Sequence, residues 1–311
     1  MSHHIGDVLA EVIRSGVIES FHTGHLCIIN SDGSIAVTAG DIEVPFIPYS
    51  TIKSIQVVAM VRAGLVLSPQ QLAVASASHP GSEEHLDIVQ SILHGAGLTV
   101  DALRNSQAIP IGHKERLEWG DKPPTQLVQN CSGKHAAMLA TCVINGWELP
   151  TYVSVGHPVQ MAIRKELELL MAEPISSVAM DGCGAPTFAL TTKGFATAIH
   201  NMRTSQDPIH QQVMAACIDY PELVAGVDRM NTRIMKVVPG LFMKDGVEGV
   251  QIFSLADGRA CVIKINDGGN RATSTVMAAV FKYWGIDSGI EPVRMYSAGQ
   301  VVGEVRPTVV F

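Results

Sequence analysis

Strand-like segments lie near both ends of this chain, and helix-like segments fill its middle. Runs of β-branched residues bounded by turn residues predict strands, whereas apolar residues spaced three and four apart predict helices. The predicted strands are 17–21, 26–30, 35–38, 235–238, 249–255 and 260–265, with a short strand or extended segment at 178–180. The predicted helices are 5–15, 51–63, 69–76, 83–95, 99–104, 133–145, 158–172, 187–199, 208–218 and 271–284. The segment after residue 286 is predicted as loop with at most one strand.

This order predicts a sheet assembled from both termini, about 1–48 and 234–311, with a helical region at about 50–230 inserted between them. Such an arrangement is an α+β architecture, and the hairpins at each end favour antiparallel pairing. No segment has the composition of an interdomain linker. We therefore interpret residues 1–311 as a single domain.

Composition excludes several classes of function. The chain has 311 residues, 47% hydrophobic and only 16% charged, so it can bury a large core without staples. A net charge of −7 gives no reason to bind nucleic acid or an anionic membrane. No apolar stretch approaches the ~18 residues of a membrane span, and the N-terminus lacks the pattern of a signal peptide. With six cysteines but no CxxC pair, we expect a cytoplasmic protein with reduced thiols.

A cysteine and a lysine stand three residues apart where a predicted helix begins. Cys131 and Lys134 would share one face of that helix, so both could point into one pocket. A helix N-terminus and a nearby cation both favour the thiolate, which prepares a metal ligand or a nucleophile. The alternative is a small buried thiol beside a solvated lysine.

Ser50 and Lys53 form a second pair with the same spacing. A buried lysine loses basicity through desolvation and can then act as a base toward the serine one turn away. Serine β-lactamases and penicillin-binding enzymes use this S-x-x-K arrangement. The alternative is that Ser50 only caps the helix and Lys53 faces solvent. The apolar residues of the helix that follows favour burial of the lysine.

Cys183 lies in a glycine turn, Asp181-Gly-Cys-Gly-Ala-Pro186. Together with Cys131 and one further ligand, it could complete a three-ligand zinc site with an open fourth position. Lysine is an unusual zinc ligand because its amine must be neutral. The alternative is therefore a glycine turn that carries a buried thiol.

Two further stretches carry candidate residues. The loop from Ala77 to Ser82 places Ser78 between two predicted helices, although it could simply be a loop with a capped helix start. Lys264 stands near the end of a strand and is followed by a glycine turn and a helix beginning near Arg271. A lysine on a strand beside a serine site is similar to the K-T-G element of β-lactamases. The alternative is an ordinary exposed lysine.

Taken together, these stretches resemble one family, the L-asparaginases of the Rhizobium inducible type, also called class 3 or the asparaginase II family. The resemblance spans about residues 8–285. The segments that carry it are Pro48–Lys53, Ala77–His79, Asn130–His135, Asp181–Pro186 and Lys264–Gly268. It implies a single catalytic domain with a fold like that of serine β-lactamases, penicillin-binding enzymes and one class of glutaminases. It also implies a homodimer that hydrolyses L-asparagine to L-aspartate and ammonia.

The resemblance implies roles for individual residues. Two serine–lysine pairs would line the site, Ser50 with Lys53 and Ser78 with Lys264. Zinc would be held by Cys131, Lys134 and Cys183. The residues implied in substrate binding are Asp181, which would take the α-amino group, with His135 and Arg271.

The chain departs from the family pattern at two positions, Pro80 in the loop after Ser78 and Asn231, where the family more often has aspartate. Two other functions remain open at this point: a β-lactamase-like or other acylating amidohydrolase, and a non-enzymatic protein that binds zinc or an amino acid.

Overall fold

The computed structural model describes residues 6–309, which form twelve strands and eleven α-helices. The strands are β1 Asp7–Arg14, β2 Val17–Ile29, β3 Ile35–Ala39, β4 Pro45–Phe46, β5 Val178–Met180, β6 Pro186–Phe188, β7 Leu190–Thr191, β8 Phe242–Asp245, β9 Val250–Ser254, β10 Ala260–Ile265, β11 Arg294–Ser297 and β12 Gln300–Pro307. The helices are α1 Lys53–Arg62, α2 Pro69–Ala75, α3 Glu83–Gly95, α4 His113–Trp119, α5 Ser132–Asn145, α6 Pro158–Met171, α7 Thr192–Thr204, α8 Pro208–Asp219, α9 Pro221–Ala225, α10 Met230–Val237 and α11 Thr273–Tyr283. Short 3₁₀ turns span Tyr49–Ile52 and Val100–Ala102.

The main sheet combines strands from the two ends of the chain. Its order is β11-β12-β1-β2-β10-β9-β8, and β3 pairs with β2 outside this path. Every pairing is antiparallel. The two N-terminal strands therefore lie between C-terminal strands, with the helices α1 to α10 inserted in the chain between them. This confirms the predicted α+β fold class.

The first strand replaces a predicted helix. The apolar residues between positions 8 and 13 have a spacing that fits a helix face, but Asp7–Arg14 pairs with β2 on one side and β12 on the other. Because β12 is distant in sequence, the partner that decides the conformation lies outside the local window. Ile5, which belonged to the same predicted helix, lies outside the described residues.

The predicted strand 235–238 was also wrong. Those residues belong to the end of α10 and the residue after it, where Met235 and Val238 pack against the second core. The strand lies a few residues later, at β8, which the sequence analysis missed. The C-terminal segment contains two strands rather than one, β11 and β12. The helix predicted over 187–199 begins later, at Thr192, because the short strands β6 and β7 precede α7.

The sheet separates two apolar cores. Along β10, Ala260 and Val262 belong to the core shared with α1 to α3 and α5 to α9, whereas Cys261 and Ile263 belong to the core shared with α10 and α11. This alternation follows from side chains pointing to opposite faces at successive positions of a strand. Within residues 6–309, no helix is both long and apolar enough to cross a lipid bilayer.

Candidate active site

A serine hydroxyl lies between two buried lysines where the sheet edge meets the helical region. The Oγ atom of Ser78 accepts hydrogen bonds from Lys53 Nζ at 3.3 Å and from Lys244 Nζ at 3.0 Å. Both lysines are fully buried. Burying an ammonium group is costly unless it has hydrogen-bond partners. The fold therefore has to hold both lysines next to the groups that accept their hydrogen bonds, and Ser78 is one of these.

The loop that carries Ser78 is fastened at three consecutive residues. Lys53 Nζ also donates to the carbonyl oxygen of Ala77. The backbone N–H of Ser78 donates to Val224 O at 3.0 Å, and that of His79 donates to Asn130 O at 3.2 Å. These bonds hold the serine without using its hydroxyl, which is left for the lysines and for a ligand.

The neighbouring His79 ties this loop to the start of α5. Its Nε2 lies 2.8 Å from Ser132 Oγ, and its ring stacks on His85 with 5.4 Å between centroids. Burial, together with the charges of His85 and Lys53, lowers the pKa of His79 well below its ordinary value. We therefore treat His79 as a neutral structural link between the two parts of the site.

Lys244 occupies the place that the sequence analysis gave to Lys264. It lies on the edge strand β8 and donates to Asp245 O at 2.8 Å besides its bond to Ser78. Burial lowers the pKa of Lys244 to about 8, although the nearby Asp245 carboxylate opposes this change. A lysine with such a pKa can change protonation state near neutral pH.

The expected pair of Ser78 with Lys264 is not present. Lys264 lies on β10, which is separated from the edge strand β8 by β9, and its Nζ donates to the carbonyl oxygen of Glu248. It lines a separate cavity of about 300 Å³ together with Tyr49 and Glu248. The correction follows from the sheet order, because a side chain two strands from the edge does not reach Ser78.

Ser50 lies in the 3₁₀ turn Tyr49–Ile52, directly before α1. The backbone N–H of Lys53 donates to its carbonyl oxygen, and the residue is half-buried. Among the described residues, its hydroxyl has no hydrogen-bond partner. The preceding Tyr49 has a φ of 49°, a left-handed conformation that non-glycine residues rarely adopt. Such strain is concentrated at functional sites, where the surrounding structure holds it in place.

Two cysteines, an aspartate and a lysine form a second cluster. Ligand atoms of Cys131, Asp181 and Cys183 all lie within 4.8 Å of one another. Lys134 Nζ lies 3.3 Å from both Asp181 Oδ2 and Cys183 Sγ. The structure thus brings together the three predicted metal ligands, and it adds Asp181 to the same group.

The start of α5 positions half of this cluster. Cys131 directly precedes α5 and Lys134 lies in its first turn. A Cβ atom on Gly133 would lie 2.4 Å from the carbonyl oxygen of Val74 in α2. Only glycine permits the two helices to approach so closely, and this approach brings Cys131 toward the loop after α2.

The β5–β6 hairpin positions the other half. Its turn is closed by hydrogen bonds from Asp181 N to Ala185 O and from Gly184 N to Asp181 O. Gly184 has a φ of 87°, which favours glycine. Ser106 holds the turn from outside, donating to the carbonyl oxygens of Cys183 and Gly182.

The two thiols differ in character. A hydrogen bond from Cys131 and the charge of Lys134 lower the pKa of Cys183 to about 6, against the effect of burial. The same hydrogen bond and burial raise the pKa of Cys131 to about 12. For Lys134, burial disfavours the charge, but the anionic Cys183 and Asp181 outweigh it and raise the pKa above its ordinary value. These directions favour the thiolate at Cys183 and the thiol at Cys131, beside the Asp181 carboxylate and the Lys134 ammonium group.

The two remaining predicted residues lie outside these contacts. His135 is fully buried behind Lys134, with Nδ1 2.7 Å from the Tyr152 hydroxyl. Burial and the Lys134 charge lower the pKa of His135 to about 3, so it is neutral. Arg271 is exposed, and its Nη2 contacts Met295 Sδ at 3.1 Å on β11. Within residues 6–309, Arg271 contacts neither cluster. The roles of His135 and Arg271 in substrate binding therefore stay predictions.

Comparison with known proteins identifies the family of this chain. Residues 10–307 match the family model described as L-asparaginase II. No match is found among curated proteins. Matching solved structures include a Bacillus glutaminase, 14% identical, which covers 85% of this chain and 91% of its own at a TM-score of 0.37. They also include a β-lactamase from Mycobacterium bovis, 14% identical, with coverages of 84% and 94% and a TM-score of 0.44.

Proposed function

The chain belongs to the L-asparaginase II family and is an amidohydrolase, and we propose that it hydrolyses L-asparagine to L-aspartate and ammonia. The observation that carries the proposal is the Ser78 hydroxyl held between two buried lysines, next to the 3₁₀ turn with Ser50. A nucleophile, a base and a proton donor close to one another are the groups that amide hydrolysis requires.

In the proposed reaction, Ser50 is the nucleophile and Lys53 is its base. Lys53 accepts the hydroxyl proton while the oxygen of Ser50 attacks the side-chain amide carbon of asparagine. Backbone N–H groups would stabilise the resulting oxyanion, and the loss of one such donor typically lowers the rate ~100- to 1000-fold. The hydroxyl of Ser50 is half-buried and makes no hydrogen bond within residues 6–309, and this free hydroxyl next to the left-handed Tyr49 supports Ser50 as the nucleophile.

Ser78 completes the acylation step as a proton relay. It passes its own proton to the departing nitrogen and receives one from protonated Lys53, so that the C–N bond breaks and ammonia leaves. Lys244, as an ammonium group, orients Ser78 and stabilises its oxygen during the transfer. Water then attacks the aspartyl ester of Ser50, the protons return along the same path, and aspartate is released.

Asp181 would bind the α-amino group of the substrate. Burial opposes its charge, but Lys134 and Lys53 outweigh burial and lower the pKa of Asp181 below its ordinary value. An ionised carboxylate near Lys53 is a suitable partner for an ammonium group of the substrate.

We propose that the cysteine cluster holds zinc. Two buried thiols next to an amine and a carboxylate form a donor set suited to this metal. Cys131, Cys183 and Lys134 would be its ligands, and Asp181 could substitute for Lys134 as an oxygen ligand. Asp181 and Cys183 both lie 3.3 Å from Lys134 Nζ, so a positive charge between them is favourable. Either the Lys134 ammonium group or a bound metal ion would supply that charge. When bound, zinc would act as a Lewis acid or shape the pocket.

The assignment to the Rhizobium inducible class, the homodimeric state and the cytoplasmic location are part of the same proposal. The class and the homodimer rest on the family resemblance of the segments quoted above, and the cytoplasmic location rests on six cysteines without a CxxC pair. Size-exclusion chromatography with light scattering tests the dimer directly.

An ammonia-release assay with L-asparagine, L-glutamine and a β-lactam, each with and without chelator, tests the function. We expect release from L-asparagine. Covalent acylation by the β-lactam without ammonia release from either amino acid would favour the β-lactamase-like alternative. Tight L-asparagine binding without turnover would favour a binding protein.

Peptide mass spectrometry of the trapped acyl-enzyme separates the two serines. Trypsin releases Ser50 in the peptide 15–53 and Ser78 in the peptide 63–104. We expect the added mass on the peptide 15–53, and no ammonia release by Ser50→Ala. Added mass on the peptide 63–104 would instead make Ser78 the nucleophile.

A further inference from the structure

A polar cavity lies beside Lys244 and is lined by Asp245, the next residue on β8. The Oδ1 atom of Asp245 lies 3.6 Å from Lys244 Nζ. The cavity has a volume of about 260 Å³ and lies between the starts of α10 and α11. This is several times the ~30 Å³ that one water molecule occupies in the liquid.

Two buried side chains in this cavity have unused hydrogen-bonding atoms. Asn231 is 3% exposed and Thr273 is 5% exposed, and both line the cavity. Within residues 6–309, Asn231 Oδ1 and Thr273 Oγ1 have no hydrogen-bond partner. Leaving a buried polar atom unpaired typically costs ~1–3 kcal/mol, so both atoms call for a ligand or ordered water.

The charges around the cavity are mixed. Asp245 accepts from Arg229 Nη2 at 3.0 Å and from Asn231 Nδ2 at 3.2 Å. Asp228 and Arg229 are exposed and lie among the lining residues. The buried part of the cavity thus offers the acceptor atoms of Asn231 and Thr273. The lining also supplies the guanidinium group of Arg229, which can bind a carboxylate.

We propose that this cavity is a second binding site, distinct from the catalytic one, for a small zwitterionic α-amino acid. The ammonium group, which has several donors and no acceptor, would bind Asn231 Oδ1, Thr273 Oγ1 and the Asp245 carboxylate. The carboxylate would bind Arg229. A molecule without a hydrogen-bond donor at this end would leave these acceptors unmatched.

Occupancy of this site is coupled to Lys244 through Asp245. Asp245 Oδ1 lies 3.6 Å from Lys244 Nζ, and Lys244 holds Ser78. A ligand ammonium group that draws on Asp245 weakens its attraction for Lys244 and so changes the environment of Ser78. This part of the inference rests on the proposed function, and it makes L-aspartate an inhibitor that lowers kcat.

Equilibrium binding of L-aspartate and succinate tests the site. Succinate is L-aspartate without the α-amino group. We compare the wild-type enzyme with Arg229→Gln, which removes the partner of the carboxylate, and with Arg233→Gln, the same change at an exposed position one turn along α10. We expect Arg229→Gln to bind one L-aspartate fewer per chain than the wild type and Arg233→Gln to bind the same number.

The difference of one ligand does not depend on catalysis, so it separates this inference from the proposed function. Equal stoichiometry in all three proteins would overturn the site, as would succinate binding there as tightly as L-aspartate. Thr273→Val provides a second variant, and it should weaken the same binding event at least tenfold. For the coupling, we expect noncompetitive inhibition that Arg229→Gln abolishes, and purely competitive inhibition would refute it.

Discussion

Replacing Lys244 by methionine tests whether Lys244, and not Lys264, is the second lysine partner of Ser78. Lys244→Met removes the ammonium group bonded to Ser78 and leaves Lys53 as its only lysine partner. The matched change Lys264→Met removes a lysine that donates to the backbone of Glu248 instead. Because a positioned proton-transfer group typically contributes ~100- to 10,000-fold, we expect Lys244→Met to lower kcat/KM by that factor. Lys264→Met should cost less than about tenfold, the value of one ordinary hydrogen bond.

The same substitution should not weaken the folded protein. Burial lowers the pKa of Lys244 from 10.5 to about 8, which corresponds to about 3 kcal/mol of cost for keeping the charge in the folded state. Methionine avoids this cost but loses the hydrogen bonds to Ser78 Oγ and Asp245 O, worth about 1 kcal/mol each. We therefore expect the free energy of unfolding of Lys244→Met to be unchanged or higher, measured by urea denaturation at pH 7.

The pH dependence gives this prediction a direction. The unfolded lysine binds a proton up to about pH 10.5 and the folded one only up to about pH 8. Stability should therefore rise with pH between these values in the wild type, and this contribution should be missing in Lys244→Met. If Lys244 acts as a cation, kcat/KM should fall above about pH 8. Equal loss of activity in both methionine variants, or a much less stable Lys244→Met, would refute the argument.

Three further predictions concern the second cluster and the helix that supports it. Cys183→Ser should lower the zinc content measured by mass spectrometry of the purified protein, since it removes a thiolate ligand; unchanged zinc would exclude this site. Asp181→Asn should raise KM for L-asparagine more than it lowers zinc content, and the opposite pattern would make Asp181 a metal ligand. Gly133→Ala should destabilise the fold by about 1–3 kcal/mol, because the new Cβ atom would lie 2.4 Å from Val74 O. The control Gly95→Ala has no atom near the new Cβ and should stabilise the fold by up to about 1 kcal/mol. Equal changes in the free energy of unfolding would contradict the close approach of α5 to α2.

Local patterns predicted most of the helical region because its elements depend on local signals. Proline stands at the first position of α2, α6 and α8, where its missing N–H costs nothing. The cysteine cluster was also accessible, because Cys131 and Lys134 are joined by one turn of helix and Cys183 by a glycine turn. Each of these features lies within a few residues in sequence.

Elements whose conformation depends on distant partners were not accessible in this way. Residues 7–14 form a strand because β12, nearly 300 positions later, pairs with them. The short strand β8 has only four residues, so its pattern alone does not distinguish it from the end of α10. Its recognition requires the pairing with β9 in the finished sheet.

The choice between Lys244 and Lys264 depends on this same information. Each lysine lies near the end of a strand and is followed by an aspartate and a glycine within four residues, so local sequence ranks them equally. Only the order β10-β9-β8 places Lys244 on the edge strand, next to the turn before α1, and Lys264 two strands away. A sequence argument that looks for a lysine beside a serine site must therefore first establish which strand forms the edge of the sheet. That edge position brings Lys244 to Ser78, and it also places Asp245 in the lining of the neighbouring cavity.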